Sequence, residues 1–145
     1  MARNALLLVA RLLLAALFVP SGFQALSDIA STSSYFAGLG LPLPTLAAWG
    51  TGLFETIAGS LILIGFQTPI VSLLLAAFCI AAGFIGHYHQ GDDATLSFLH
   101  QQMLMKDIAI AGGFLAHAMA GAGAWSLDGR RAETDLIKGS ANWRG

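Results

Sequence analysis

The sequence predicts an all-α integral membrane protein, an up-and-down four-helix bundle with both termini in the cytoplasm, and three observations carry that prediction. Only 15 of the 145 residues are Asp, Glu, Lys or Arg, 10% where a soluble domain has roughly 25%. Hydrophobic residues make up 56% of the chain and its mean hydropathy is +0.70, too apolar for a surface wetted on every side. The charges also leave four uncharged runs, Leu12 to Ser27, Ile29 to Phe54, Thr56 to Gly91 and Ile108 to Leu127. The composition excludes other classes. A net charge of −1 without a basic run offers nucleic acid no electrostatic footprint. The single cysteine, Cys79, excludes an intramolecular disulfide, a Cys-x-x-Cys redox pair and a multi-cysteine metal site.

The first span is expected at about residues 5–25. Arg3 ahead of an apolar stretch resembles the start of a signal peptide, but Arg11 interrupts that stretch and no convincing small-x-small cleavage site follows. The run from Thr56 to Gly91 is 36 residues long, more than one span of about 20. Gln67-Thr68-Pro69 divides it, because proline ends one helix or opens the next. The second and third spans are therefore expected at 46–66 and 69–86, and the fourth at 104–123. Residues 1–128 form the membrane domain, and 129–145 a polar cytoplasmic tail expected to fray in water.

Orientation follows from the basic residues. Arg3 precedes the first span and Arg130, Arg131, Lys138 and Arg144 follow the fourth, whereas the loop from Ser27 to Thr45 has no Lys or Arg. That loop is apolar through Tyr35, Phe36, Leu39 and Leu41, and is punctuated by Gly38, Gly40, Pro42 and Pro44. It is expected to lie in the interface or over the bundle mouth, the alternative being an ordinary linker.

An ionisable group at bilayer depth costs about 2.5–3.5 kcal/mol and needs a partner, water or a job. Arg11 and Glu55 fall roughly 9 Å and 16 Å from the cytoplasmic ends of the first two spans, a difference an arginine side chain covers. Ala15, Phe18 and Gly22 lie near the Arg11 stripe, and Ala48, Gly52, Gly59 and Ile62 near the Glu55 stripe; small residues allow close helix approach. A buried Arg11–Glu55 pair is expected, with either a structural or a catalytic, proton-handling role. Lys106 and Asp107 open the fourth span, pointing about 100° apart toward different neighbours. Lys106, Ile110, Gly113 and His117 follow one face. His117 would hydrogen-bond another helix, meet a quinone carbonyl or ligate a metal or haem. His87, His89, Asp92, Asp93 and His100 gather at the outer mouth, where His87, His89 and His100 are weak metal candidates beside the plainer reading of a solvated cluster. Because His87 and His117 sit near opposite membrane faces, a haem held between them is disfavoured.

Several segments resemble the DoxX family of small four-span bacterial membrane proteins over nearly all of residues 9–131. These are Arg11-Leu12-Leu13-Leu14 with Ser21-Gly22-Phe23, then Tyr35 to Pro42, then Gly52-Leu53-Phe54-Glu55 with Gly59. Met105-Lys106-Asp107-Ile108-Ala109 running into Gly112-Gly113, and Trp125-Ser126-Leu127-Asp128, complete the set. Asp107 stands where the family often has asparagine, and Gln24 where lysine is common. The resemblance implies a multi-pass protein of the bacterial inner membrane and, from a thiosulfate:quinone oxidoreductase subunit, a membrane partner of redox proteins.

Three functions then stand side by side. One is a membrane subunit of a quinone-linked redox assembly with a soluble or membrane redox partner, in which Arg11, Glu55, Lys106 and Asp107 are catalytic candidates and Arg11, Glu55 and His117 ligand-binding candidates. The second is a non-catalytic docking or assembly protein. The third is a small transporter, for which homo-oligomerisation would have to supply the polar path that the apolar third span denies one chain.

Overall fold

Helical spacing of small and apolar residues pairs the long helices two by two. In a computed structural model that describes residues 1–141, with side chains as far as Lys138, α1 (Ala2–Ser27) lies against α3 (Pro44–Ile64), and α4 (Thr68–His87) against α5 (Ala94–Ala120). α2 (Ile29–Gly38) packs on α3, and α6 (Leu127–Ala141) closes the chain. The four long helices are those with the length and composition to cross a membrane. Their outer faces, with Leu6 and Leu13 on α1, Ile57 on α3, Ile70 and Leu73 on α4 and Leu115 on α5, remain exposed. That is expected where lipid surrounds a bundle and apolar burial no longer drives helices together.

Close backbone approach does that work on α1 and α3. A methyl group at Gly22 would stand 2.5 Å from Thr56 Oγ1 and 2.7 Å from Gly52 O, and one at Gly59 would stand 3.0 Å from Phe18 Cβ. These contacts set the antiparallel register: Gly22 faces Thr56, Phe18 faces Gly59, and Arg11 faces Gly65. The two hairpins meet in a core of Phe18, Ile62, Val71, Leu75, Ala111 and Phe114. Phe18 packs edge-on against Phe114 at 5.4 Å and Phe78 at 6.4 Å, and Phe54 lies 5.0 Å from Phe78, so an aromatic layer crosses the middle of the bundle.

One expectation gains a helix, and two need correction. The apolar loop after the first span contains a helix, because Asp28 caps α2 by accepting from Ser31 N–H at 3.0 Å. The fourth span begins at Ala94 instead of 104, since Asp93 caps it by accepting from Leu96 N–H at 2.9 Å. At about 1.5 Å per residue, α5 is then longer than the hydrocarbon core is thick, and its first turns project beyond α4. The polar tail is helical, not frayed, from Leu127 to Ala141; the Ser126 hydroxyl accepts from Gly129 N–H at 3.0 Å and starts it. Arg144 lies outside the described residues.

Candidate functional site

Two groups of polar side chains sit on opposite sides of the aromatic layer. On the α2 side, the hairpins part to leave a cavity of about 600 Å³. Phe18 and Phe78 form its floor, and Tyr35, Phe36, Leu39 and Leu41 bring α2 and the segment after it over its mouth. The Tyr35 hydroxyl reaches across to α4, where a methyl at Gly86 would stand 3.6 Å from it. Leu17 of α1 and Ile85 of α4 line the cavity and are also 47% and 49% exposed, so it opens sideways toward lipid between two helices that share little contact.

Two carboxylates enter this apolar space from different hairpins. Glu55, 9% exposed, lies on the α3 face that Gly52 and Gly59 press against α1, and there it meets Ser21. Asp107 enters from α5, where Gly83 of α4 gives it room: a methyl at Gly83 would stand 2.9 Å from Asp107 Cβ and 3.0 Å from Oδ2. Cys79 is buried and lines the same cavity. The lining includes no lysine or arginine. At the rim, His87 Nε2 lies 3.9 Å from Asp107 Oδ2, and His87 Nδ1 lies 3.0 Å from His100 Nδ1. His89 packs instead against the Tyr88 ring, at 4.2 Å. Among the described residues no group of three or more His, Cys, Asp or Glu is placed to hold a metal ion, so His87, His89 and His100 are not gathered as ligands.

The expected Arg11–Glu55 pair does not form. In the register set by the glycines, Arg11 faces Gly65, and Gly65 and Glu55 are about 15 Å apart along α3, beyond the reach of any side chain. Arg11 is 2% exposed and turns toward the chain termini, donating from Nη2 to Trp125 O at 2.7 Å. Its guanidinium fills the place that a side chain on Gly65 would take, and Gly65 already needs a left-handed φ of 67° to end α3. Asp128 completes this arrangement by capping α4 from outside it: its carboxylate accepts from Gln67 N–H at 2.9 Å and Thr68 N–H at 2.8 Å, while its own N–H donates to Gly65 O at 2.9 Å. Burial alone would raise the Asp128 carboxyl, but those hydrogen bonds and the nearby Arg131 outweigh it and hold the group below the usual carboxylate range.

His117 lies near Arg11 in this termini-side group, buried, its Nε2 without a hydrogen-bond partner among the described residues. Lys106 shares a helix direction with His117 but is exposed three turns away. Of the catalytic candidates, the fold therefore places Glu55 and Asp107 on the wall of one cavity, sends Arg11 to the other end and leaves Lys106 outside. Sequence reasoning did not single out Ser21, Tyr35, Cys79 or Asp128 as site residues. The signal for Asp128 was present: a Ser-x-Asp step directly after the last span is what a helix start with a spare carboxylate looks like.

The segment that carries Arg11, Glu55 and His87 also matches a known family: residues 6–88 match DoxX. The chain belongs to the DoxX family. It is 37% identical over 131 residues to the Escherichia coli inner membrane protein YphA, covering 89% of this chain and 92% of that one. It is 34% identical over 124 residues to the E. coli inner membrane protein YqjF, covering 83% and 88%. No solved structure matches. This DoxX chain is accordingly a multi-pass inner membrane protein, and the family-like segments acquire physical roles in it. Gly52 and Gly59 seat α3 against α1 and leave Glu55, between them, on the cavity wall, and Trp125-Ser126-Leu127-Asp128 forms the clasp on Arg11 and α4.

Proposed function

We propose that this DoxX protein is the membrane component of a quinone-linked redox assembly and that it binds a quinol, or the corresponding quinone, in the cavity between its hairpins. The observation that carries this reading is that Glu55 and Asp107, and no lysine or arginine, line one largely apolar cavity that opens sideways to lipid. A carboxyl oxygen accepts hydrogen bonds, so these groups favour a ligand head that carries hydroxyl donors. A cavity of about 600 Å³ lies in the range of small-molecule sites and suits a ring, while the gap beside Leu17 and Ile85 lets an apolar tail run into the bilayer. The chain has one cysteine and hence no dithiol of its own, so electrons would leave the ligand through a partner protein.

The excess of Arg and Lys near the termini supports placing both termini in the cytoplasm, with the cavity in the outer half of the membrane. The Phe18–Phe78–Phe114 layer blocks the bundle axis and counts against a transport path through one chain.

The test is native purification in mild detergent, followed by extraction and mass spectrometry of the retained small molecules. A quinone present in proportion to protein, and lost on Glu55→Gln, supports the proposal. Ordinary phospholipid alone, in wild type and variant alike, sinks it and leaves the docking or assembly role as the reading to pursue.

A further inference from the structure

The cavity has a second exit, made of side chains. Asp107 stands at its wall, His87 at its rim and His100 one imidazole further out, on the turns of α5 that project beyond α4 and where Gln101 and Gln102 are exposed. The two rings face each other through like atoms, Nδ1 to Nδ1 at 3.0 Å, so one nitrogen must carry the hydrogen and the other accept it. Such a contact fixes complementary tautomers and leaves each Nε2 pointing away from the pair. On His87 the outward Nε2 is the atom that looks back at Asp107, at 3.9 Å, a span closed by one water or by a small turn of the carboxyl group.

We propose that Asp107, His87 and His100 form a proton relay that joins the cavity to water at the α2 end of the molecule. A proton on the Asp107 carboxyl passes to His87 Nε2, His87 gives its Nδ1 proton to His100 Nδ1, and His100 releases its Nε2 proton to water. Each ring accepts one proton and gives up one, and reversal of the transfer or a turn of the rings restores the starting tautomers. Histidine suits the task because one ring nitrogen can accept a proton while the other gives one up. The other titratable groups around the relay are Glu55 on α3, Cys79 on α4, Tyr35 on α2, Lys106 beside Asp107 on α5, and Tyr88, His89, Asp92 and Asp93 in the α4–α5 connection; α1 lines the cavity without one. The relay is a property of the chain itself, but its use rests on the cavity holding a ligand that trades protons, as a quinol does.

The experiment follows the Asp107 carboxyl band by infrared difference spectroscopy after a pH step, using the full chain in liposomes and Asp107→Asn to identify the band. His100→Ala is expected to slow the protonation change by about tenfold or more, and free imidazole in the buffer to restore it, a rescue that a merely structural role would not show. His87→Ala, with melting temperature measured alongside, is expected to behave in the same way. Equal rates in wild type and both variants would overturn the relay, as would the lack of any Asp107-dependent band across the titration or a failure of imidazole to rescue a variant that melts like wild type. Quinone extraction from the same samples separates the two proposals: an intact relay in protein that retains no quinone sinks only the ligand reading, and retained quinone with unchanged rates sinks only the relay.

Discussion

Asp128 shows how much one side chain can hold in this molecule. It caps α4 across a gap of sixty residues in sequence, through two backbone hydrogen bonds, and ties its own backbone to Gly65. Asp128→Ala should destabilise the protein by about 0.5–2 kcal/mol, the usual cost of a lost cap, read as a lower melting temperature in detergent. The sign of the pH dependence follows from its depressed carboxyl. The stabilisation is fully present above the unfolded value, near 3.9, and disappears as pH falls through the lower folded value. The difference in melting temperature between wild type and Asp128→Asn should thus be constant at neutral pH and shrink in acid; a gap that grew in acid would contradict the assignment. Arg11 belongs to the same clasp and not to Glu55. In double-mutant cycles Arg11→Met and Glu55→Gln should add to within about 0.5 kcal/mol, while Arg11→Met and Asp128→Asn should couple by more than that. Strong coupling of Arg11 to Glu55 would require a register other than the one described.

Among the helices, glycines of the same type have opposite meanings according to what faces them. Gly22 lies under Thr56 and Gly52, so Gly22→Ala has to push α1 and α3 apart and should cost about 1–3 kcal/mol. Gly112 and Gly113, on the outer side of α5, have nothing within 4 Å of an added methyl, so Gly113→Ala should leave the melting temperature unchanged or raise it. The four spans were legible because their lengths and apolar runs answer to the thickness of a membrane. Their ends were less so. Asp93 looked like part of a polar outer cluster and is a helix cap, which moves the start of α5 to Ala94. α2 was hidden because Tyr35, Phe36 and Leu39 gave an apolar segment without a second amphipathic turn to reveal its period, and only the Asp28 cap marks its start.

For the molecule as a whole, the separation into two hairpins is the property that matters. α1 with α3 and α4 with α5 pack tightly within each pair, and the weaker seam between pairs leaves room for the cavity. Ala82 lies on that seam, among the lining residues. Ala82→Phe should occupy part of the cavity and cut the retained quinone by about tenfold or more, equivalent to at least about 1.4 kcal/mol of binding, without lowering the melting temperature. Retention equal to wild type, in a protein that folds normally, would place the ligand elsewhere.

The sequence by itself determined that this is a membrane protein of four spans, and its motifs led to the DoxX family, because charge scarcity and the period of apolar and small residues are local properties of the chain. It also marked Arg11, Glu55 and Asp107, since ionisable groups in such spans are conspicuous. Which of them meet was decided only by tertiary structure. Depth counted from helix ends is uncertain by a few residues at each end, and at about 1.5 Å per residue that error equals the reach of a side chain. The contacts of Gly22 and Gly59 remove the uncertainty: they send Arg11 to Gly65 and Trp125, and leave Glu55 to share a cavity with Asp107.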